Sequence, residues 1–477
     1  MNKIKKISAA ALAAALMTGT ALTVNAEESQ PKLLIAEDSS MTAVTLYGGG
    51  YGSNSDGFFK LGEEELAKWQ ETGKLEVTRV ESDVDLTVWN WWSGSFEGEY
   101  LQLTKKDADG NITERKVVHL DKENNKIELA YTLGADWCYT TPDGYTVLEP
   151  TSDVENGTVT ITAMKPNGTT FTNTIKGCVA HMDGAQWDDY VWYTYRAVSD
   201  SDSKYCCYVV VVEKLNGSWI DNKIYTVYGI GKDGTTTKIG VSDMCSCGSI
   251  EYCDSERVIV SYDDGVAYTN VVYSTTADEQ YQFGYYGGIY FANDDIAIGY
   301  EFYNAEENGY DLIDLKSNKF LANYSNMGTN DFKIYVVQTE DDKWGYIDSN
   351  GKELAIFDDA GVFYGDFAPV VKDGKAYLID RNMNKVSEAI DGESVAAFDE
   401  GLYRVTVNGE SKFMTYAAKP AVSEPTKPTE PTTSTEPTSK PTSTDNKNPE
   451  TGIPGIAAVF GTLALAAGTV IVAKKRK

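Results

Sequence analysis

Histidine is nearly absent from this 477-residue chain: it has two, His119 and His181. That leaves little room for a His-based hydrolase. Three other patterns are missing: His-Glu-x-x-His, Gly-x-Ser-x-Gly and Gly-x-x-x-x-Gly-Lys-Ser/Thr. A zincin, a nucleophile-elbow hydrolase and a P-loop nucleotidase therefore have no motif to stand on. Gly229-Ile-Gly-Lys-Asp-Gly234 matches a bare dinucleotide pattern, but strand-like sequence follows it where a helix would have to receive a pyrophosphate. Cations are also scarce, 42 Lys and Arg against 71 Asp and Glu, for a net charge of −29. So acidic a chain does not bind nucleic acid or an anionic membrane through charge. Proline is rare until Pro420 and then frequent.

Helical periodicity is missing as well, with one exception. Gly62 to Thr72 has an acidic first turn, and Gly73 is placed to end it. The rest of Pro31 to Ala418 is rich in Tyr, Gly, Val, Ile and Thr, the composition of strands. Turn dipeptides punctuate it: Asp109-Gly110, Asn167-Gly168, Asn216-Gly217, Asp233-Gly234, Asp264-Gly265, Asn350-Gly351, Asp373-Gly374 and Asn408-Gly409. Asn or Asp before Gly suits the positive φ angles of tight hairpins. Gly110, Gly168 and Gly234 are widely spaced, leaving room for one four-stranded unit or two small ones in each gap.

Internal similarity appears toward the C-terminal end. Asp342 to Asn350 aligns with Gly374 to Asn382, and Val370 to Gly374 aligns with Val405 to Gly409. The period of 32 to 35 residues covers about 295–416. Regular hairpins with almost no helix predict an all-β fold. An irregular β-propeller-like repeat domain of seven to nine blades fits best, with tandem β-sandwiches as the alternative. The segment Lys343-Trp-Gly-Tyr-Ile-Asp-Ser-Asn-Gly-Lys352 resembles a unit of the WG-repeat family, and the next unit departs from it at Ala376 and Tyr377. The resemblance implies a repeated hairpin scaffold with a binding role rather than catalysis.

Both ends carry a different kind of signal. Lys3, Lys5 and Lys6 precede an apolar stretch ending in Val24-Asn25-Ala26, the form of a signal peptide over residues 1–26. The β-rich domain is expected over 27–418, and a Pro/Thr/Ser/Glu-rich segment over 419–447. The latter has too little apolar content to fold and would act as an extended stalk, reaching roughly 90 Å at ~3.1 Å per residue. Asn448-Pro449-Glu450-Thr451-Gly452 follows, then an uncharged apolar run, 453–473, and a basic tail. That run matches the ~20 residues of a membrane-spanning helix, and the tail would stay cytoplasmic. Residues 448–477 in this order resemble the sorting signal of sortase-anchored surface proteins of Gram-positive bacteria, with Asn448 in place of the usual Leu.

The resemblance implies a sortase as partner, cleavage between Thr451 and Gly452, and transfer of the Thr451 carbonyl to a peptidoglycan or pilus amine. The membrane is then involved only through the C-terminal anchor before cleavage, and the final location is the cell wall. Removing the three leader lysines and the four tail cations leaves a mature charge of −36.

Candidate chemistry inside the domain is sparse. Trp89 and Trp91 share one face if Val88 to Trp92 is extended, and Trp187 and Trp192 lie in a second aromatic stretch. If exposed, they could stack on a glycan or anchor a protein partner; otherwise they fill the core. Glu97 with Glu99, or Asp188 with Asp189, are the carboxylate pairs a glycoside hydrolase would need. Asp107 to Asn111 and Ser199 to Ser203 gather oxygens of the kind Ca²⁺ takes, without the spacing of a 12-residue loop. No cofactor or metal set is expected otherwise. Seven cysteines leave at least one unpaired; Cys245 and Cys247 share a face if extended, and Cys253 is placed to return through a short hairpin. The expected function is a wall-anchored binding protein, the alternatives being a surface polysaccharide-acting enzyme and a structural or sensory envelope protein.

Overall fold

A computed structural model describes residues 30–36, 45–54, 57–85, 90–94, 98–181, 190–218, 221–284, 288–293, 295–300 and 309–418. The segments expected to be a signal peptide, a stalk and a sorting signal lie outside these residues. Among the described residues the fold is an all-β propeller of nine sheets of four or more strands, with one short helix. The tandem sandwiches are thereby excluded. The blades occupy 45–79, 81–133, 138–176, 193–244, 246–284, 288–324, 326–357, 359–391, and 394–416 completed by Leu33–Ile35. They are numbered 1 to 9 below. Gly110, Gly168 and Gly234 fall in blades 2, 3 and 4, so each wide gap holds one large unit rather than two small ones.

Within most blades, successive strands pair antiparallel in chain order. First strands of neighbouring blades approach one another: Tyr193–Ala197 meets Ser246–Cys253, which meets Gly288–Ala292, and Ser394–Asp399 meets both Asp359–Ala360 and Thr45–Gly48. The first strands therefore surround the propeller axis. Blades 2 and 3 depart from the plain meander. Blade 2 adds Glu81–Ser82, parallel to Lys126–Leu133, at its outer edge. In blade 3 the second strand is broken into Thr146–Leu148 and Thr151–Asp153, both paired with Thr158–Met164. A two-stranded ribbon, Ala180–His181 with Tyr190–Val191, is inserted between blades 3 and 4.

Apolar residues sit between blades, so the sheets bury both faces. Val209 and Val211 pack on Val147, Val159 and Ile161 of blade 3, while Val210 and Val212 pack on Val258 and Val260 of blade 5. Both faces of Tyr205–Leu215 being covered explains its unbroken apolar run, which has no polar alternation. Further clusters join blades 1 and 2, 5 and 6, 6 and 7, and 7 through 9.

The helix Glu63–Thr72 forms where the sequence expects it. Gly62 N–H donates to Glu65 Oε2 at 3.0 Å, and Gly73 ends the helix at φ 75°. Its buried face, Leu66 and Trp69, packs on Leu402 and Phe413 of blade 9 and so ties blade 1 to blade 9. The ring is closed by Leu33–Ile35, which pairs antiparallel with Met414, Thr415 and Tyr416 as the outermost strand of blade 9.

The turns refine the expectation of tight hairpins. Among the eight Asn-Gly and Asp-Gly dipeptides, both residues take positive φ only at Asp373-Gly374 and Asn408-Gly409. At 107–111, 165–169, 231–235 and 348–352 the glycine alone is left-handed, and the turn has five residues. Its first N–H donates to the fifth carbonyl, and the glycine N–H donates to the first carbonyl. The cysteines also differ from expectation. Cys247 and Cys253 lie on one continuous strand, Ser246–Cys253, so no hairpin returns Cys253 to its neighbours. Two bulges in that strand consume the extra residues, and all seven thiols are free.

Candidate functional site at the inner wall of blades 3 to 6

Polar and aromatic side chains converge where the inner parts of four successive structural blades meet. Tyr139 comes from the first strand of blade 3, Tyr195 and Arg196 from that of blade 4, and Glu251 from that of blade 5. Tyr300 comes from the second strand of blade 6. It reaches inward because Gly288 lies under its ring: a Cβ on Gly288 would stand 2.3 Å from Tyr300 Cζ. Tyr310 packs edge-on against Tyr300, with centroids 5.8 Å apart. Trp137 meets Tyr139 edge-on at 5.6 Å, and the buried Arg115 guanidinium lies 5.8 Å from the Trp137 centroid.

Arg196 is the hub. Its Nη1 donates to the carbonyls of Ile250 at 2.9 Å and Glu251 at 2.7 Å, stitching blade 4 to blade 5. Its charge still reaches Tyr139, Tyr300 and the Glu251 carboxyl. Glu251 is buried, and Ser249 Oγ donates to its Oε1 at 2.5 Å. Burial pushes the Glu251 carboxyl above the usual range; the hydroxyls of Ser249 and Ser261, and then Arg196, pull it back only in part. Burial likewise raises the phenols of Tyr139, Tyr195 and Tyr300. They stay neutral donors and acceptors at physiological pH. Such a wall can hydrogen-bond and stack; the Glu251 carboxyl already takes a hydroxyl donor and the Arg196 guanidinium is anchored on backbone.

The residues singled out from sequence are placed elsewhere or not described. Trp89 and Trp187 lie outside the described residues, as do Glu97, Asp188 and Asp189. Trp91 is in strand Asn90–Gly94, opposite Leu103 in blade 2. Trp192 is half-buried and packs edge-on against Tyr225, centroids 5.4 Å apart, at the core between blades 4 and 5. Glu99 is exposed, with Oε2 3.9 Å from His119 Nε2.

The two oxygen-rich stretches are turns. Asp107 Oδ1 accepts the N–H groups of Asp109 and Asn111 at 3.0 and 2.9 Å, and Asp200 Oδ1 accepts that of Asp202 at 2.9 Å. Tyr139, Arg196, Glu251 and Tyr300 escape sequence reasoning because no motif links residues so far apart. What they share is a position on or over a blade's innermost strand, visible only once the blade register is known.

Comparison with known proteins matches this architecture in one stretch. The family described as WG containing repeat matches residues 344–375. The match starts at the third strand of blade 7, Trp344–Asp348, and runs through the first two strands of blade 8, so the sequence repeat is out of phase with the blade. No curated protein matches. Similar solved structures include BamB from Moraxella catarrhalis, with 9% identity over 68% of this chain and 96% of that chain at a TM-score of 0.29. TolB from Acinetobacter baumannii shows 10% identity over 55% of this chain and 63% of that chain at a TM-score of 0.27. The chain is a β-propeller carrying a WG-type repeat.

Proposed function

We propose that this is an exported, wall-anchored surface protein whose propeller displays a glycan-binding site on the inner wall of blades 3 to 6. The observation that carries the binding site is the convergence of Tyr139, Tyr195, Arg196, Glu251 and Tyr300 at that wall. Neutral phenols, an anchored guanidinium and a buried carboxyl suit hydroxyl-rich, uncharged ligands, since flat rings supply contact area and the polar tips supply direction. The net charge of −29 works against strongly anionic ligands. The stalk and the Asn448 to Gly452 signal support display at the wall, with a sortase acting on Thr451.

Two measurements test the two halves. On a glycan array the purified protein binds a neutral polysaccharide without releasing reducing ends, and Tyr139→Ala with Tyr300→Ala abolishes binding while the fold is retained. Release of reducing ends would replace this reading with a polysaccharide-acting enzyme; no glycan bound but envelope proteins co-purifying would replace it with a structural role. Thr451→Ala moves the protein from the wall fraction to membrane or medium; unchanged wall linkage removes the anchoring half.

A further inference from the structure

Strand Tyr205–Leu215 opens with adjacent cysteines, Cys206 and Cys207. Neighbours on a regular strand point to opposite faces. Here the pairing with Lys223–Gly231 slips: Tyr205 opposes Gly231, Cys207 opposes Ile230, and Cys206 is the extra residue of a bulge. As a result both cysteines belong to the core between blades 3 and 4, with Val159, Ile161 and Val209, while Tyr205 and Tyr208 face blade 5. Both are wholly excluded from solvent. Cys206 Sγ donates to the Ile230 carbonyl at 3.4 Å. Cys253 is the other thiol whose charge reaches Cys207, but it belongs to the core on the opposite face of blade 4, and its Sγ donates to the Ala197 carbonyl at 3.5 Å.

We infer that Cys206 and Cys207 form a redox site that closes to a disulfide between neighbours when a small-molecule disulfide supplies the oxidising equivalents. One cysteine, as thiolate, attacks the reagent disulfide; its S–S bond breaks, one thiol leaves, and a mixed disulfide forms. The second cysteine attacks that mixed disulfide and expels the other thiol. The chain loses two hydrogens, and the reagent is reduced to two thiols, which carry the two protons. The closed core resists this exchange. The reagent cannot reach it, and the neighbouring Cys206 side chain together with burial holds the Cys207 proton in place. Exchange therefore needs blade 3 to part from blade 4.

The bond formed is a reversible one. Adjacent Cα atoms stand ~3.8 Å apart, closer than the ~4.4 to 6.8 Å of ordinary bridges, and strained disulfides are the readily reduced ones. Export, as proposed above, supplies an oxidising setting, but the pair itself stands on geometry alone and is tested on purified protein.

The test treats the full chain with hydroxyethyl disulfide in sub-denaturing urea, then blocks remaining thiols by alkylation after unfolding and maps the peptides by mass. The expected result is a loss of two hydrogens on the peptide holding Cys206 and Cys207, alkylation of the other five cysteines, and reversal by dithiothreitol. Cys253→Ser leaves the product unchanged and Cys207→Ser prevents it; the wild-type map stands by itself if either variant fails to fold. Seven alkylated thiols, a bridge to Cys253, or a mixed disulfide that never resolves would each overturn the inference.

Discussion

Blades 6 to 9 and blades 2 to 5 solve the same packing problem with different regularity. First strands of blades 7, 8 and 9 begin at Asn326, Asp359 and Ser394, steps of 33 and 35 residues. Those of blades 3, 4 and 5 begin at Cys138, Tyr193 and Ser246, steps of 55 and 53. In the regular half one device fastens blade 7 to blade 8. In blade 7 Tyr346 is fully buried, and its hydroxyl donates to the Gly361 carbonyl of blade 8 at 2.7 Å. Gly345 before it has no room for a side chain: a Cβ would stand 2.5 Å from the Ala355 carbonyl oxygen. The irregular half has a broken strand and an inserted ribbon, and it holds the thiol pair and all of the inner-wall cluster except Tyr300 and Tyr310, which blade 6 contributes. Uniform repetition serves closure of the ring; departures from it provide places for individual chemistry.

The largest effect that could break this contrast is at Tyr346. Tyr346→Ala should cost ~3 to 5 kcal/mol, because a large buried side chain is lost and a blade-to-blade hydrogen bond goes with it. Urea denaturation measures it; a loss below ~1 kcal/mol would show that the aromatic-Gly-aromatic unit does not fasten blades.

Gly345→Ala should cost ~1 to 3 kcal/mol by overpacking. Blade 8 carries Tyr377 at that place, and its close approach lies one residue earlier, where a Cβ on Gly392 would lie 2.6 Å from the Ala376 Cβ. A neutral Gly345→Ala would mean that the outer strand yields freely.

In the irregular half, Glu251→Gln should flatten part of the pH dependence of stability. The folded-state carboxyl is raised above its ordinary 4.5 by burial. The folded chain then holds a proton that the unfolded chain has released, so wild-type stability falls as pH rises from 4.5 through the raised value. Thermal melts of both proteins across mildly acidic to neutral pH check this; identical slopes would remove Glu251 as a contributor.

The smallest expected effect is at Met383, which occupies in the 380–384 turn of blade 8 the left-handed place that Gly351 takes in blade 7, at φ 65°. Met383→Gly should change the urea-denaturation stability by at most ~1 kcal/mol, because relief of a non-glycine residue from that conformation is offset by glycine's unfolded-state entropy and by loss of the Met383 side chain's packing on the core.

Much of the scaffold was readable in advance. The helix Glu63–Thr72, the all-β composition, the propeller and the period near residues 295–416 all follow from local patterns that survive folding. The count at the top of the expected range did not follow directly, because blades 2 to 5 vary in strand length and bulge where no residue type announces it. The functional wall was hidden for a different reason. Trp192 stood out as an aromatic yet fills a blade interface, whereas Tyr300 gains its inward reach only because Gly288, on a neighbouring strand, has no side chain. Such a relation is tertiary and leaves no short-range trace.

The pairing of Leu33 to Ile35 with Met414 to Tyr416 sets an order of events. Of the described strands, the one made first by the ribosome waits for the one made last, with nearly the whole domain between them. Contacts so distant in sequence form slowly, since the closure entropy must be met before they return any stabilisation. Until Tyr416 is available, Leu33 to Ile35 has no strand to pair with and blade 9 lacks Glu410–Tyr416, which leaves unpaired edges that invite pairing with another chain. The latch thus makes completion of the ring, rather than of any earlier blade, the event that commits the domain to its native form.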